Sequence, residues 1–213
     1  MDTGLLNGVS HMKQSTVKIQ GDRTVYFDPY EIADEVRDAD VIFISHGHYD
    51  HFSTKDIKKI MKSNTVLVLP EDCTRDADIA GFKNIVPVLP NLDYEVGGLK
   101  FSTVPAYNTN KEFHKKLSNW VGYVLNINNI TCYFAGDTDY IPEMKNIRAE
   151  VVFLPVGGVY TMNWKEAVEA ANTIQPKIAV PIHFKDVVGS LDDAVNFVRG
   201  IHSNIRGVIL KTQ

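Results

Sequence analysis

The sequence predicts an α/β protein built as a four-layer αββα sandwich, with two sheets face to face and helices outside. Three observations predict it. The short apolar runs are β-branched and too brief for helices, the helical stretches combine a cap with a one-sided apolar stripe, and the order of elements repeats. Strands come first and strand-helix units after, once in each half, with no linker between. At 213 residues the chain suits a single domain, 1–213, long enough to bury a sizeable core. Its 44% hydrophobic and 23% charged composition is that of a globular protein rather than a disordered one.

The elements follow in order. Ser15 to Ile19 and Thr24 to Phe27 flank Gln20-Gly21-Asp22-Arg23 and read as a hairpin that ends at the turn Asp28-Pro29. Asp40 to Ser45 is a buried strand. Ser53 caps a helix over Thr54 to Lys62, whose Ile57, Ile60 and Met61 share a face. Thr65 to Leu69, a short helix over Thr74 to Ala80 and Ile85 to Val88 continue the alternation. Strands at Asp93 to Val96, Lys100 to Val104, Trp120 to Ile127 and Ile130 to Phe134 are joined by the tight-turn pairs Gly97-Gly98 and Asn128-Asn129. Only Pro105 to Ser118 lacks a pattern, and a loop of that length is more often functional than idle. The last third gives strands at Val151 to Leu154, Ile178 to Ile182 and Gly207 to Leu210. Between them lie helices at Trp164 to Ile174, with Asn163 as cap beside Glu166, and at Leu191 to Ile201. Ala167, Val168, Ala171 and Ile174 form the buried stripe of the first.

A net charge of −4 leaves no global basic footprint, so nucleic acid is not an expected partner. Two cysteines, Cys73 and Cys132, exclude a disulfide framework, leave at most one bridge, and suit a reducing, cytoplasmic setting. No apolar run is long enough to span a bilayer, and no membrane partner is expected. Ser10-His11-Met12 matches a common cloning junction, so residues 1–12 stand equally as native chain or as an expression leader. Oligomeric state is left open.

The chemistry begins at His46-Gly47-His48-Tyr49-Asp50-His51, directly after a buried strand. Three of the seven histidines fall here within six positions, with an aspartate between the last two. Imidazole is the commonest neutral ligand for zinc and similar ions. In an extended turn residues i and i+2 point one way while i+4 and i+5 turn to a second point, so one loop can feed two ions. A surface histidine run seldom has that spacing.

This loop resembles the His-x-His-x-Asp-His signature of the metallo-β-lactamase superfamily, over nearly the whole chain. Within it, Tyr26-Phe27-Asp28-Pro29, Ala135-Gly136-Asp137-Thr138-Asp139 and Leu154-Pro155-Val156-Gly157-Gly158 are similar to stand-alone hydrolases related to ascorbate-6-phosphate lactonase. The resemblance implies the metallo-β-lactamase fold, with His46 and His48 on a first ion, Asp50 and His51 on a second, and Asp137 bridging them. The small-residue turn before Asp137 lets its carboxylate approach two cations. His183, at the end of a buried strand, would be the last ligand of the second ion. The family also wants a histidine soon after Val104, where this chain has Asn108, a poor ligand for such an ion. His114, six residues on, is the candidate replacement. His11 and His202 have no such context.

The resemblance further implies two divalent ions, zinc first, with manganese, iron or nickel compatible. A hydroxide activated between them would attack a phosphorylated lactone or phosphodiester-type substrate, with Asp50 holding its proton and Asp137 the second catalytic carboxylate. Tyr107, Asn108 and Lys111, with Lys115 and Lys116 nearby, and Gly158 before a helix N-terminus, are the candidate contacts to a small anionic substrate. The altered third ligand leaves an alternative, a nucleotide-binding or sensing protein with little turnover. A diiron oxidoreductase of related fold is a more distant option.

Overall fold

The structure is a computed structural model and describes residues 3–211. Two mixed sheets face each other. The first runs in chain order through β1 (Val9–His11), β2 (Val17–Gln20), β3 (Thr24–Phe27), β4 (Ala39–Phe43), β5 (Met61–Pro70) and β6 (Ile85–Val88). The second runs from β7 (Asp93–Val96) through β8 (Leu99–Pro105), β9 (Val121–Ile127), β10 (Ile130–Phe134), β11 (Val151–Pro155) and β12 (Ile178–Ile182) to β13 (Arg206–Gly207). Each sheet is antiparallel over its first strands and parallel over its last, the boundary falling at β3 in one and β10 in the other. That repeat is the one the element order predicted.

The helices lie outside. Between the sheets, Phe27, Phe43 and Phe134 stack at ring-centroid separations of 5.3 Å (Phe27 to Phe43) and 4.7 Å (Phe27 to Phe134). Helices α1 (Thr54–Ile60) and α2 (Thr74–Ile79) cover the outer face of the first sheet with Ile57, Ile60 and Ala77. Helices α3 (Trp164–Ile174) and α4 (Leu191–Gly200) cover the second with Ala167, Ala171, Ile174, Ala194 and Phe197. Burial of these aliphatic stripes, at roughly 25 cal/mol per Å², fixes the four layers. Both outer helices of the second half begin with capping boxes, Asn163 with Glu166 and Ser190 with Asp193.

Several boundaries differ from the sequence reading. The strand Val9–His11 was not foreseen, because three residues are too few to show a period; it pairs with β2, and His11 is buried. Helix α1 stops at Ile60 because Met61 turns extended and begins β5 without a loop. On α3, Val168 is only half-buried and Ala170 takes its place in the stripe. The last strand shortens to Arg206–Gly207. Cys73 and Cys132 are both free and sit in different apolar clusters, so the one conceivable bridge is not made. No helix among the described residues is long and apolar enough to cross a membrane.

A candidate two-ion centre between the sheets

The aromatic stack aims the chain at one spot. Phe27 leads into Asp28, Phe43 into Ser45 and His46, and Phe134 into Gly136 and Asp137. Gly136 has φ +65°, and a Cβ there would stand 2.7 Å from Ser45 Cβ, so only glycine lets Asp137 approach the histidine loop. The loop folds back through bonds from the backbone N–H groups of His51 and Phe52 to His48 O, which turns Asp50 and His51 away from His46 and His48.

Three groups of possible ligand atoms result, each with its atoms within 4.8 Å of one another. Asp28, His46 and His51 form one, but there the Asp28 carboxylate is engaged by Ser45 and His51 Nδ1. The other two are His46, His48 and His114, the first cluster, and Asp50, His51 and His183, the second. Asp137 stands between these two. Its Oδ2 is 3.4 Å from His114 Nε2, 4.0 Å from His46 Nε2 and 3.1 Å from His183 Nε2, and its Oδ1 is 3.4 Å from His51 Nε2. His114 therefore stands beside His46 and His48, where the sequence left a gap. Asn108 does not point into either cluster: its Oδ1 accepts from the His114 backbone N–H at 3.0 Å and from His114 Nδ1 at 3.1 Å.

The hydrogen bonds assign the tautomers. Ser45 Oγ donates to Asp28 Oδ2 at 2.6 Å, so it accepts from His46 Nδ1 at 2.9 Å and leaves the lone pair of His46 on Nε2, which faces His48 Nδ1 at 3.0 Å. His51 Nδ1 donates to Asp28 Oδ2 at 2.7 Å, and His114 Nδ1 donates to Asn108 Oδ1 and Tyr160 O. His51 Nε2, His114 Nε2 and Asp137 Oδ1 are buried without a hydrogen-bond partner, and both ring nitrogens face the Asp137 carboxylate, His51 at Oδ1 and His114 at Oδ2. Unpaired polar atoms in a core are costly, and converging lone pairs of this kind fit divalent cations. The residues present thus suit the group the fold implies.

Charge follows the same pattern. Burial would raise the Asp137 carboxyl, yet His183 and His51 opposite it, with the close approach of the His114 ring, hold it well below the usual carboxylate range. Asp50 is likewise lowered, burial being outweighed by His51 and Gln14. Desolvation pushes His46 far down and His48 down, keeping both rings neutral and ligand-competent. His51 is raised: burial opposes a proton, but the carboxylates of Asp137 and Asp28 flank it on both nitrogens.

Three supporting residues escaped the sequence reading. Asp28, quoted there only as a motif member, anchors His51 directly and His46 through Ser45; its signal was an Asp-Pro turn at a strand end. Gln14 donates from Nε2 to Asp50 Oδ2 at 3.0 Å and lies 2.9 Å from His183 Nε2, while its carbonyl accepts from the His183 backbone N–H. Trp120 packs on the first cluster, 4.9 Å from His46, 5.0 Å from His48 and 5.5 Å from His114 between ring centroids. Nothing in the sequence signals the last two.

A cavity of about 280 Å³ opens onto the centre, lined by His48, Tyr49, Asp50, Phe113, His114, Asp137, Tyr160, His183 and Val187. The anticipated substrate contacts do not line it. Lys111 is taken by Asp139, which also binds Thr109 and Asn108 and so pins the loop that carries His114. The Tyr107 hydroxyl donates to Glu143, and Lys116 pairs with the same carboxylate. Gly158 donates its N–H to Met162 O, and Asn163 already caps the first amides of α3, so no open anion cradle forms there.

Comparison with known proteins agrees with this geometry. The family model described as a beta-lactamase superfamily domain matches residues 9–183. A UPF0173 metal-dependent hydrolase of Listeria monocytogenes is 30% identical over 95% of this chain and 96% of its own. The solved structure of a chain from Parabacteroides distasonis, described as a metal-dependent hydrolase, superposes with a TM-score of 0.85 at 29% identity, covering 96% of this chain and 93% of that one. The diiron β-hydroxylase of Streptomyces venezuelae superposes with a TM-score of 0.72 at 14% identity over 90% of this chain and half of its own, a likeness of fold alone. The chain belongs to the metallo-β-lactamase superfamily and, within it, to the UPF0173 metal-dependent hydrolases.

Proposed function

We propose that the protein is a two-ion hydrolase that opens a lactone, phosphorylated or not, or a phosphodiester, with an activated water as nucleophile. The observation that carries this reading is that the buried, unpartnered His51 Nε2 and His114 Nε2 face the two oxygens of the Asp137 carboxylate, one on each side. His46, His48 and His114 would hold one ion, Asp50, His51 and His183 the other, and Asp137 would touch both. Divalent ions held there, zinc first among them, would supply a water of lowered pKa and electrophilic help at the acyl or phosphoryl oxygen. The chain's own residues do the rest. Asp50, ionised and open to the cavity, takes the proton of the attacking water. Asp28, Ser45 and Asn108 hold three imidazoles in the tautomers that keep the lone pair on Nε2, as outer partners of metal ligands do. Gln14 steadies Asp50 against His183. The low-turnover alternative rested on an altered third ligand, and the position of His114 beside His46 and His48 supports the hydrolase reading over it. Two free, buried thiols suit a cytoplasmic setting.

The test pairs metal analysis with turnover. Wild-type protein is expected to hold two ions per chain and to hydrolyse bis-p-nitrophenyl phosphate or a lactone, and Asp137→Ala to lose most of its metal. Full metal retention in that variant would sink the bridging role, and full occupancy without turnover of either substrate type would sink the hydrolase reading.

A further inference from the structure

Outside the ligand clusters, every side chain lining the cavity is aromatic or aliphatic: Tyr49, Phe113, Tyr160 and Val187. Phe113 and Tyr160 meet edge to face at 4.6 Å, and Tyr49 stands edge-on to Tyr30 at 5.9 Å. Phe113 is 50% exposed and Tyr49 67% exposed. Two large rings left in water beside a buried polar centre are surface held ready for an apolar ligand, since each Å² covered returns roughly 25 cal/mol. Charge points the same way. Among the described residues no lysine or arginine lines the cavity, whose charged lining groups are the carboxylates of Asp50 and Asp137. Of the lysines of the neighbouring loop, Lys111 is committed to Asp139 and Lys116 to Glu143, Lys115 is exposed and does not line the cavity, and Lys13 pairs with Glu31 and Asp186. A phosphate carried away from the reacting bond would therefore be desolvated against aromatic walls with no cation to meet it.

We infer that the substrate is a small ester or lactone with no charge beyond the group that reacts, bearing one flat apolar ring held by Phe113, Tyr160 and Tyr49. The inference rests on the hydrolase reading and narrows it. The cavity's volume, at the lower end for small-molecule sites, has room for one ring beside the scissile bond. In the reaction the oxygen of water bonds to the acyl carbon, the bond from that carbon to the alkoxy oxygen breaks, and the departing oxygen leaves with a proton that came from the water. An acid and an alcohol result, joined in one molecule when a lactone opens.

The probes are dihydrocoumarin, an uncharged aryl lactone, and 6-phosphogluconolactone, a lactone carrying a remote phosphate, each given to the metal-loaded enzyme, with acetanilide as a slowly cleaved aryl ligand for calorimetry. We expect kcat/KM for dihydrocoumarin at least about tenfold above that for the phosphorylated lactone. Phe113→Ala, at a half-exposed position that the fold does not need, should raise KM for dihydrocoumarin and weaken acetanilide binding by about fivefold to tenfold. Lys115→Ala should change neither. A preference for the phosphorylated lactone, or a loss on removing Lys115 with none on removing Phe113, overturns the inference while leaving the hydrolase reading standing. If neither lactone nor bis-p-nitrophenyl phosphate turns over, the hydrolase reading fails, and acetanilide binding that Phe113→Ala leaves unchanged overturns the choice of a ring by the aromatic walls.

Discussion

The substitution Asp28→Asn exchanges one carboxylate oxygen for an NH2 and should weaken both ion sites unequally. Asp28 is fully buried; Oδ1 accepts the Ser45 backbone N–H at 2.7 Å, while Oδ2 takes both the Ser45 hydroxyl and His51 Nδ1. If the new side-chain amide keeps its oxygen on the Ser45 N–H, its NH2 faces His51 Nδ1, which must then accept rather than donate. The ring proton moves to Nε2, the atom that faces Asp50 and Asp137, and blocks it. If the amide turns the other way, its NH2 opposes the Ser45 N–H. Either arrangement loses the carboxylate behind His51, and a lost outer partner of a metal ligand costs about 10- to 100-fold in affinity. That is about 1.4–2.8 kcal/mol. The second cluster should take that loss in full, because Asp28 touches His51 directly. The first should lose less, since Asp28 reaches His46 only through Ser45. Competition with a chromophoric chelator reads the two affinities, and circular dichroism checks that the variant has folded. A folded variant with two unchanged affinities, or with the first site hit harder than the second, would refute the tautomer argument.

Removing the His114 ring should cost the first site only. His114→Ala is expected to bring occupancy from two ions toward one, and emission from Trp120, which packs on all three histidines of that cluster, should stop responding to copper(II) or cobalt(II). Trp164→Phe leaves Trp120 as the single reporter, and an undiminished response in His114→Ala would remove the ring from the site. His11 predicts a pH effect away from the ligands. Burial lowers its pKa despite the bond to Gln14 O, so below about 6.5 the unfolded chain takes up a proton that the folded chain refuses. Stability is thus present above that pH and lost as pH falls, by at most about 1.4 kcal/mol per pH unit for one proton. His46 and His48 add the same sign in ion-free protein, and the raised His51 the opposite. Urea unfolding of ion-free His11→Phe should therefore show a shallower fall between pH 7.5 and 5.5 than wild type, and equal slopes would refute the assignment.

What the sequence disclosed and what it concealed divide by range of interaction. The turn Asn128-Asn129, the cap Asn163 with Glu166 and the apolar runs of the parallel strands are local, and they stand where their patterns put them. The ligand loop was legible because its residues are consecutive. His114 was only a candidate, because its place depends on Asn108 and Asp139 gathering an aperiodic loop through contacts 28 to 31 residues apart. The lysines misled for the same reason. Their spacing shows a basic cluster, but Asp139 and Glu143, which neutralise it, arrive from another strand end.

The least legible residues are those where the backbone itself is strained. Gln14, Asp28 and His183 have φ of +51°, +43° and +55°, a region that costs a residue with a side chain on the order of 1–3 kcal/mol. Each is held there by bonds from distant chain. Gln14 O accepts the His183 N–H at 2.8 Å and the His11 ring, the Gln14 N–H donates to Asp186, and Asp28 is tied to Phe43 O and the Thr16 hydroxyl. Gln14 joins β1 to β2 and His183 ends β12, so the link between them closes only when the two sheets have packed. Sequence patterns describe one element at a time and contain no term for such a closure. The second cluster is therefore a product of tertiary structure: the strand ends bring its ligands near, and the strained Gln14–His183 contact sets their final geometry.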